Sequence, residues 1–187
     1  MMKPALFLDR DGVINVDYGY VHSRERFHFT DGIFELARTA SARGYLIVVV
    51  TNQAGIGRGL YGEAEFYSLT DWMCSHFLKQ NVKIDRVYFS PYHPTAGIGR
   101  YQQDHVSRKP RPGMLIQAQR ELKIDMTASI LIGDKCSDIE AGSAAGVGTN
   151  LLLQADFAPD LPCVGCTRIA TLREALPFFA DFGVWDS

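Results

Sequence analysis

The chain has 187 residues, 47% of them hydrophobic, and a formal net charge of -2. That is enough apolar material for one sizeable core, so a single domain over residues 1–187 is expected. Balanced charge without a long Lys or Arg run argues against a nucleic-acid or acidic-membrane partner, and no apolar stretch approaches the roughly 18 residues of a membrane span. Met1-Met2-Lys3-Pro4 leads straight into a strand, without the apolar core of a signal peptide, so a cytoplasmic location is expected.

Ala5 to Leu8 is a short apolar run that reads as a buried strand. The next is a near-continuous aliphatic run from Tyr45 to Val50. Arg86 to Phe89, Ile130 to Ile132 and Leu151 to Leu153 follow, the last expected to close the series. Between them lie helical spacings: Ile33, Leu36, Ala37 and Ala40; then Phe66, Leu69, Met73 and Phe77; then Leu115, Ala118 and Leu122. Gly44 suits a left-handed cap after the first helix, and Pro112 suits the start of the third. Alternation of strand and helix predicts an α/β fold: a doubly wound, mainly parallel sheet, Rossmann-like, with helices on both faces. The stretch from Pro91 to Gly113 exceeds ordinary connections and is either an active-site loop or a place where the element pattern fails, while Ala155 to Gly165 reads as a surface connection.

In such a sheet the residues just past the carboxyl ends of the strands share one crevice. Asp9 and Asp11 emerge from the first strand. Two carboxylates about 4 Å apart repel by about 4 kcal/mol at an effective dielectric near 20, which persists only with a cation or a shared proton between them. Thr51, Asn52 and Gln53 follow the second strand and lead into a loop through Gly55, Gly57 and Gly59, whose backbone N–H groups are expected to hold phosphate oxygens. Asp134 and Asp138 stand four residues apart at the entrance to a helix, and Lys109 enters from the long loop. Each piece alone has a plain alternative: an Asp-Gly turn, a strand cap, a first-turn helix acid, a solvated lysine. Together they point to Mg²⁺, which prefers oxygen ligands and is commonly held by carboxylates with substrate phosphate. With the metal and Lys109 offsetting the negative charge, Asp9 can form an aspartyl-phosphate.

Four cysteines are too few for a disulfide framework in a chain of this length, and Cys74 and Cys136 fall in predicted helices. Cys163-Val164-Gly165-Cys166 has the spacing of half a zinc site or a redox pair. Without a second pair or a strand-to-helix context, idle thiols are expected.

Asp9-Arg10-Asp11-Gly12, Thr51-Asn52, Arg108-Lys109-Pro110 and Gly133-Asp134-Lys135-Cys136-Ser137-Asp138 resemble the four motifs of the haloacid-dehalogenase-type (HAD) phosphatases. The stretches from Asn15 to Val21 and from Thr51 to Gly59 are similar to those of the D,D-heptose 1,7-bisphosphate phosphatases, with histidinol-phosphate phosphatases as close relatives. The resemblance implies a Mg²⁺-dependent phosphatase, without a large cap domain, that removes the C7 phosphate of a heptose bisphosphate in surface-glycan precursor synthesis. Histidinol phosphate or another small sugar phosphate is the alternative substrate, and a non-catalytic scaffold the alternative class. It makes Asp9 the nucleophile and Asp11 the general acid and base, with Thr51 and Lys109 binding the transferring phosphoryl group. Mg²⁺ would be held by Asp9, the Asp11 backbone carbonyl and Asp134, with Asp138 behind them positioning Lys135 or the metal's surroundings. Asn52, Gln53, Arg58, Arg108, Asp17 and Lys135 would contact substrate. The expected partner is a small phosphorylated sugar, and the chain is expected to be a monomer.

One departure from the family matters. Its structural zinc is held in the long loop by Cys-x-His and Cys-x-Cys pairs, whereas the corresponding positions here read Ser90-Pro91-Tyr92 and His105-Val106-Ser107. Zinc is therefore not expected, although His93 and His105 lie nearby, and the loop should be ordered by its own packing through Tyr92 and Tyr101.

Overall fold

A computed structural model describes residues 2–154 and 163–180. Six strands form one parallel sheet in the order β3-β2-β1-β4-β5-β6: β1 (Ala5–Leu8), β2 (Leu46–Asn52), β3 (Arg86–Ser90), β4 (Ile130–Gly133), β5 (Thr149–Leu153) and β6 (Thr167–Ile169). The helices are α1 (Ile33–Ala42), α2 (Ala54–Gly57), α3 (Glu63–Lys79), α4 (Gly113–Leu122) and α5 (Cys136–Ala144). Among the described residues no helix is long and apolar enough to cross a membrane.

Side chains alternate across a strand, so β1 feeds two apolar layers. Leu6 and Leu8 join Ile47 and Val49 under α1 and α3, through Ile33, Leu36, Leu69, Met73 and Phe77. Ala5 and Phe7 join Val48 and Val50 under α4 and α5, through Leu115, Ala118, Ile139 and Ala141. Burial on both faces explains why these strands read as unbroken aliphatic runs. All three predicted helices form, and Gly44, at φ +86°, follows α1 in the expected left-handed conformation.

Two expectations are corrected here. The second strand runs from Leu46 through Asn52, so Thr51 and Asn52 belong to it, paired with Phe89 and Ser90 of β3. Leu151 to Leu153 does not close the series. β6 adds a parallel edge strand after it; with three residues, of which Ile169 alone is buried, it carries too little apolar pattern to stand out in the sequence. The expected surface connection lies mostly outside the described residues.

Chain order reverses between β1 and β4, and the crevice beyond their carboxyl ends is where open α/β sheets bind ligands. Leu8 is level with Val49 on one side and Ile132 on the other, which brings the residues after each strand to a common rim.

Candidate active site

Asp9 stands at the end of β1 with its N–H bonded to the Ile132 carbonyl of β4 at 3.1 Å. Its Oδ1 accepts the Arg10 N–H at 2.7 Å and lies 3.0 Å from Lys109 Nζ. The same ammonium lies 2.7 Å from Asp138 Oδ1 and donates to the Val50 carbonyl at 2.7 Å. Lys109 reaches this point from the long loop because its backbone is clamped to β2: Asn52 Nδ2 donates to the Lys109 carbonyl and Asn52 Oδ1 accepts the Lys109 N–H, both at 3.0 Å. Asp138 Oδ2 in turn accepts the Lys135 N–H at 3.0 Å and so caps α5. A buried ammonium is thus held between two carboxylates and a carbonyl, with every partner fixed by a different strand end.

Asp9, Asp134 and Asp138 bring carboxylate oxygens within 4.8 Å of one another. Burial raises the Asp9 carboxyl to about 7, with Lys109 opposing and Asp138, Asp134 and Asp11 adding to the rise. Asp134 is pushed up to about 6, again by burial first, with Lys135 opposing and Asp138 and Asp17 adding. Lys109 loses hydration by burial, yet Asp138 and Asp9 hold it above its ordinary value. One Asp134 oxygen, Oδ1, is buried without a hydrogen-bond partner. Gly12 makes room for this carboxylate: at φ +92°, a Cβ there would fall 2.3 Å from Asp134 Oδ2.

Asp11 is held differently. Arg10 Nη2 donates to its Oδ1 and Oδ2 at 3.0 and 2.9 Å, Asn15 Nδ2 to Oδ1 at 3.1 Å, and Gln53 Nε2 to Oδ2 at 2.9 Å. Gln53 Nε2 also donates to Thr51 Oγ1 at 2.8 Å, and its carbonyl accepts the Tyr61 hydroxyl at 2.6 Å. Arg10, Asn15 and Tyr61 had no role in the reading of the sequence. Arg10 lies inward, just past the end of β1, with its guanidinium on both Asp11 oxygens and on the Val21 carbonyl, and no spacing in the sequence marks that last contact.

A cleft of about 500 Å³ opens over these groups, lined by Asp9, Asp11, Asp17, Asn52, Gln53, Arg108, Lys109, Lys135 and Asp138 together with Gly19, Tyr20, Tyr61 and Ser137. Lys135 Nζ lies 3.1 Å from Asp17 and 3.5 Å from Asp134. Burial opposes it, but the Gly19 N–H and Lys135 hold the Asp17 carboxyl below the usual range. Arg108 enters with Nη1 on the Tyr92 carbonyl at 3.0 Å. Two predicted residues stand apart: Thr51 is buried beneath the floor, and Arg58 is exposed, bonded to the Tyr20 hydroxyl with its guanidinium 5.2 Å from that ring.

The glycine loop departs from expectation. Ala54–Gly57 forms a turn of helix, and the N–H groups of Ile56, Arg58, Gly59 and Leu60 all donate within the segment, so they are not available as a phosphate cradle. Close packing accounts for Gly57, where a Cβ would meet the Pro91 carbonyl oxygen at 2.2 Å.

The long loop after β3 contains one short 3-10 turn, Gly99–Tyr101. Ser90, Tyr92, His105 and Ser107 meet there: Ser107 Oγ donates to Ser90 Oγ at 2.9 Å, His105 Nδ1 lies 2.7 Å from Ser107 Oγ and accepts the Ser107 N–H at 3.1 Å, and the Tyr92 and His105 rings stack at 4.0 Å. Tyr101 lies 6.0 Å from Tyr92 and donates to Glu63 Oε1 at 2.7 Å.

Residues 106–161 match the HAD-hydrolase-like family model. Over 183 residues, 98% of this chain and 97% of the relative, the sequence is 52% identical to the D-glycero-alpha-D-manno-heptose-1,7-bisphosphate 7-phosphatase of Burkholderia mallei. The chain belongs to this HAD phosphatase family. The D-glycero-beta-D-manno-heptose-1,7-bisphosphate 7-phosphatase of Vibrio cholerae is 50% identical over 82% of this chain and 83% of its own. Among solved structures, the D,D-heptose 1,7-bisphosphate phosphatase from B. bronchiseptica, complexed with magnesium and phosphate, superposes with a TM-score of 0.80 at 27% identity, covering 93% of this chain and 96% of that one. A putative HAD-like phosphatase from Mesorhizobium loti gives 0.85 at 35% identity, with 95% and 86% covered.

Proposed function

We propose that this chain is a Mg²⁺-dependent phosphatase that releases the C7 phosphate of D-glycero-D-manno-heptose 1,7-bisphosphate through an aspartyl-phosphate on Asp9. The observation that carries the reading is the shared ammonium: Lys109 bridges Asp9 and Asp138 at 3.0 and 2.7 Å on the floor of a cleft whose walls carry Asp11, Asp17, Arg108 and Lys135. Kinship with heptose-1,7-bisphosphate 7-phosphatases over most of the chain supports the substrate.

The residues fit a hard divalent cation. Asp134 Oδ1 is buried and unpartnered, and Asp9 and Asp134 are raised first by burial and then by the carboxylates around them, both of which a cation between them would offset. Asp9, Asp134 and the backbone carbonyl of Asp11 would hold Mg²⁺, with Asp138, already committed to Lys109 and the Lys135 N–H, behind them. When bound, Mg²⁺ supplies charge neutralisation that keeps Asp9 ionised and lets a phosphate approach.

The remaining chemistry belongs to the chain. A carboxylate oxygen of Asp9 forms a bond to phosphorus as the bond between phosphorus and the C7 oxygen breaks. Asp11 gives its proton to the departing sugar oxygen. It then takes a proton from the water that attacks phosphorus, which frees Asp9 and inorganic phosphate. Lys109 stabilises the negative charge on the transferring group, and Thr51 supplies a hydroxyl beneath it. Arg108, Arg58, Asn52, Gln53, Asp17 and Lys135 are assigned to substrate recognition, Asn52 acting by holding Lys109 and Arg58 by way of Tyr20.

The enzyme is read as one domain, a cytoplasmic monomer in surface-glycan precursor synthesis. Its long loop is read as ordered without zinc, because Ser90, Tyr92, His105 and Ser107 join one another through hydrogen bonds and ring stacking.

The test measures phosphate release with Mg²⁺ from both anomers of heptose 1,7-bisphosphate and from histidinol phosphate, with Asp9→Asn as control. Highest kcat/KM on a heptose bisphosphate supports the reading. Preference for histidinol phosphate replaces the substrate, and equal release by Asp9→Asn removes the mechanism.

A further inference from the structure

The Asp11 carboxylate is held by donors of two kinds. Arg10 and Asn15 belong to its own turn, which the Ile14 and Asn15 N–H groups close by donating to the Arg10 carbonyl at 2.8 and 3.0 Å. These donors move with Asp11. Among the described residues Gln53 is the one donor to this carboxylate from elsewhere in the chain, 42 residues away, and its own N–H is fixed on the Ser90 carbonyl of β3 at 2.8 Å. Gln53 Nε2 carries two protons, one given to Asp11 Oδ2 at 2.9 Å and the other to Thr51 Oγ1 at 2.8 Å. A single buried amide thus ties the group that protonates the leaving oxygen to a hydroxyl beneath the phosphoryl site.

The amide is itself held in one orientation. Its Oε1 accepts the Tyr61 hydroxyl at 2.6 Å, and burial pushes that phenol up to about 12, so it keeps the proton it donates. The Tyr61 ring stacks on His22 at 4.9 Å, and Gly55 leaves room for it, since a Cβ there would meet ring carbon Cε1 at 2.2 Å. A half-turn of the amide would set Oε1 against the Asp11 oxygen and Nε2 against the phenol proton, so the arrangement has one low-energy sense.

We propose that Gln53, beyond any contact with substrate, is a positioning residue that keeps the Asp11 carboxyl in register with the phosphoryl site, so that the departing sugar oxygen receives its proton efficiently. The inference rests on the phosphatase reading with Asp11 as general acid. Misplacing an acting group by about 1 Å costs up to about 10²-fold. The cost falls where the leaving oxygen would otherwise depart as a strong base. A sugar oxygen would; p-nitrophenolate leaves without a proton. The value of kcat/KM covers the step in which the leaving group departs and not the later attack of water, so it isolates this help.

The experiment measures Mg²⁺-dependent kcat and KM for wild type, Asp11→Asn, Gln53→Met and Gln53→Asn on heptose 1,7-bisphosphate and on p-nitrophenyl phosphate, with Tm for each protein. Met keeps the length of the side chain without its hydrogen bonds, and Asn keeps the amide but ends one methylene short of Asp11. In both Gln53 variants kcat/KM should fall at least about tenfold further on the heptose bisphosphate than on p-nitrophenyl phosphate, through kcat and not KM, with the same imbalance in Asp11→Asn. Should Gln53→Met fail to fold, Gln53→Asn carries the comparison. Equal losses on the two substrates would make Gln53 a support of the phosphoryl site or of the fold, and a raised KM with unchanged kcat would make it a substrate contact alone. Either result overturns the proposal, as does wild-type kcat in the folded variants. A wild type without turnover, or an Asp11→Asn without the imbalance, ends the reading of the site and the inference with it; Gln53 variants that part from Asp11→Asn in a working enzyme end the inference alone.

Discussion

The rim beyond β1 and β4 and the long loop after β3 meet at Lys109, and they solve the problem of order by opposite means. The rim gathers like charges: Asp9, Asp134 and Asp138 share one small volume, held by a single buried ammonium and left with an unsatisfied oxygen on Asp134. The loop gathers neutral groups, with Ser90, Ser107 and His105 joined by hydrogen bonds and His105 stacked on Tyr92. A region under electrostatic tension is one that a ligand can stabilise, because a cation lowers its energy in the folded state alone. The loop's side chains meet one another and its backbone is clamped to β2 at Lys109, so it delivers Lys109 and Arg108 to the rim.

Lys109→Met breaks the comparison most directly. Removing the ammonium leaves two buried carboxylates without their cation, and stability should fall by about 3–5 kcal/mol. Denaturant unfolding measures it, and a fall that shrinks as Mg²⁺ is added would sharpen the assignment of that charge to the rim. Asp11→Asn should also lower stability, since buried Arg10 loses its carboxylate and a donor on one of the two Asp11 oxygens would face an amide N–H, but its larger effect should be on kcat, which falls by at least about 10²-fold through loss of acid and base help. A near-native rate in this variant would remove Asp11 from the chemistry.

How much of this was written in the sequence follows the same division. Strand cores declared themselves because both faces are buried, and the residues after them were placed together by a topological rule that needs no contact information. Asp9, Asp11, Asp134 and Lys109 were therefore legible. Arg10 and Tyr61 were not, because each acts through a partner distant in sequence: Arg10 on the Val21 carbonyl, Tyr61 on Gln53. Asn52 reads as a substrate contact and does line the cleft, but its bonds to the Lys109 backbone, a partner 57 residues away, are not visible in the sequence. The glycines after β2 suggested open backbone for phosphate, but Gly57 is needed for space against Pro91, Gly55 for space against the Tyr61 ring, and Gly59 for its φ of +71°.

Protons and metal should compete at the rim. The Asp9 and Asp134 carboxyls sit at about 7 and about 6 in the metal-free fold, above their value of 3.8 in an open chain. Between about pH 4 and 7 the folded state binds more protons than the unfolded state, so this pair lowers stability as pH rises through that window. Mg²⁺ requires the ionised carboxylates, and each pH unit below the Asp9 value weakens binding by about tenfold. Addition of Mg²⁺ should therefore raise Tm more at pH 8 than at pH 5.5. Equal gains at both would mean that the cation binds elsewhere.

The smallest effect is expected in the loop. Ser107→Ala removes a hydroxyl that donates to Ser90 Oγ and faces His105 Nδ1, and a hydrogen bond of this kind contributes about 1 kcal/mol. The stack of Tyr92 on His105 and the Tyr101 bond to Glu63 remain, so the loop should keep its course and Arg108 and Lys109 their places. Tm should fall slightly, KM should move less than kcat does in Asp11→Asn, and a zinc chelator should leave wild-type and variant Tm unchanged. A Tm that drops on chelation would place the loop in the same class as the rim, as a segment whose order depends on a cation, and would erase the contrast between the two regions.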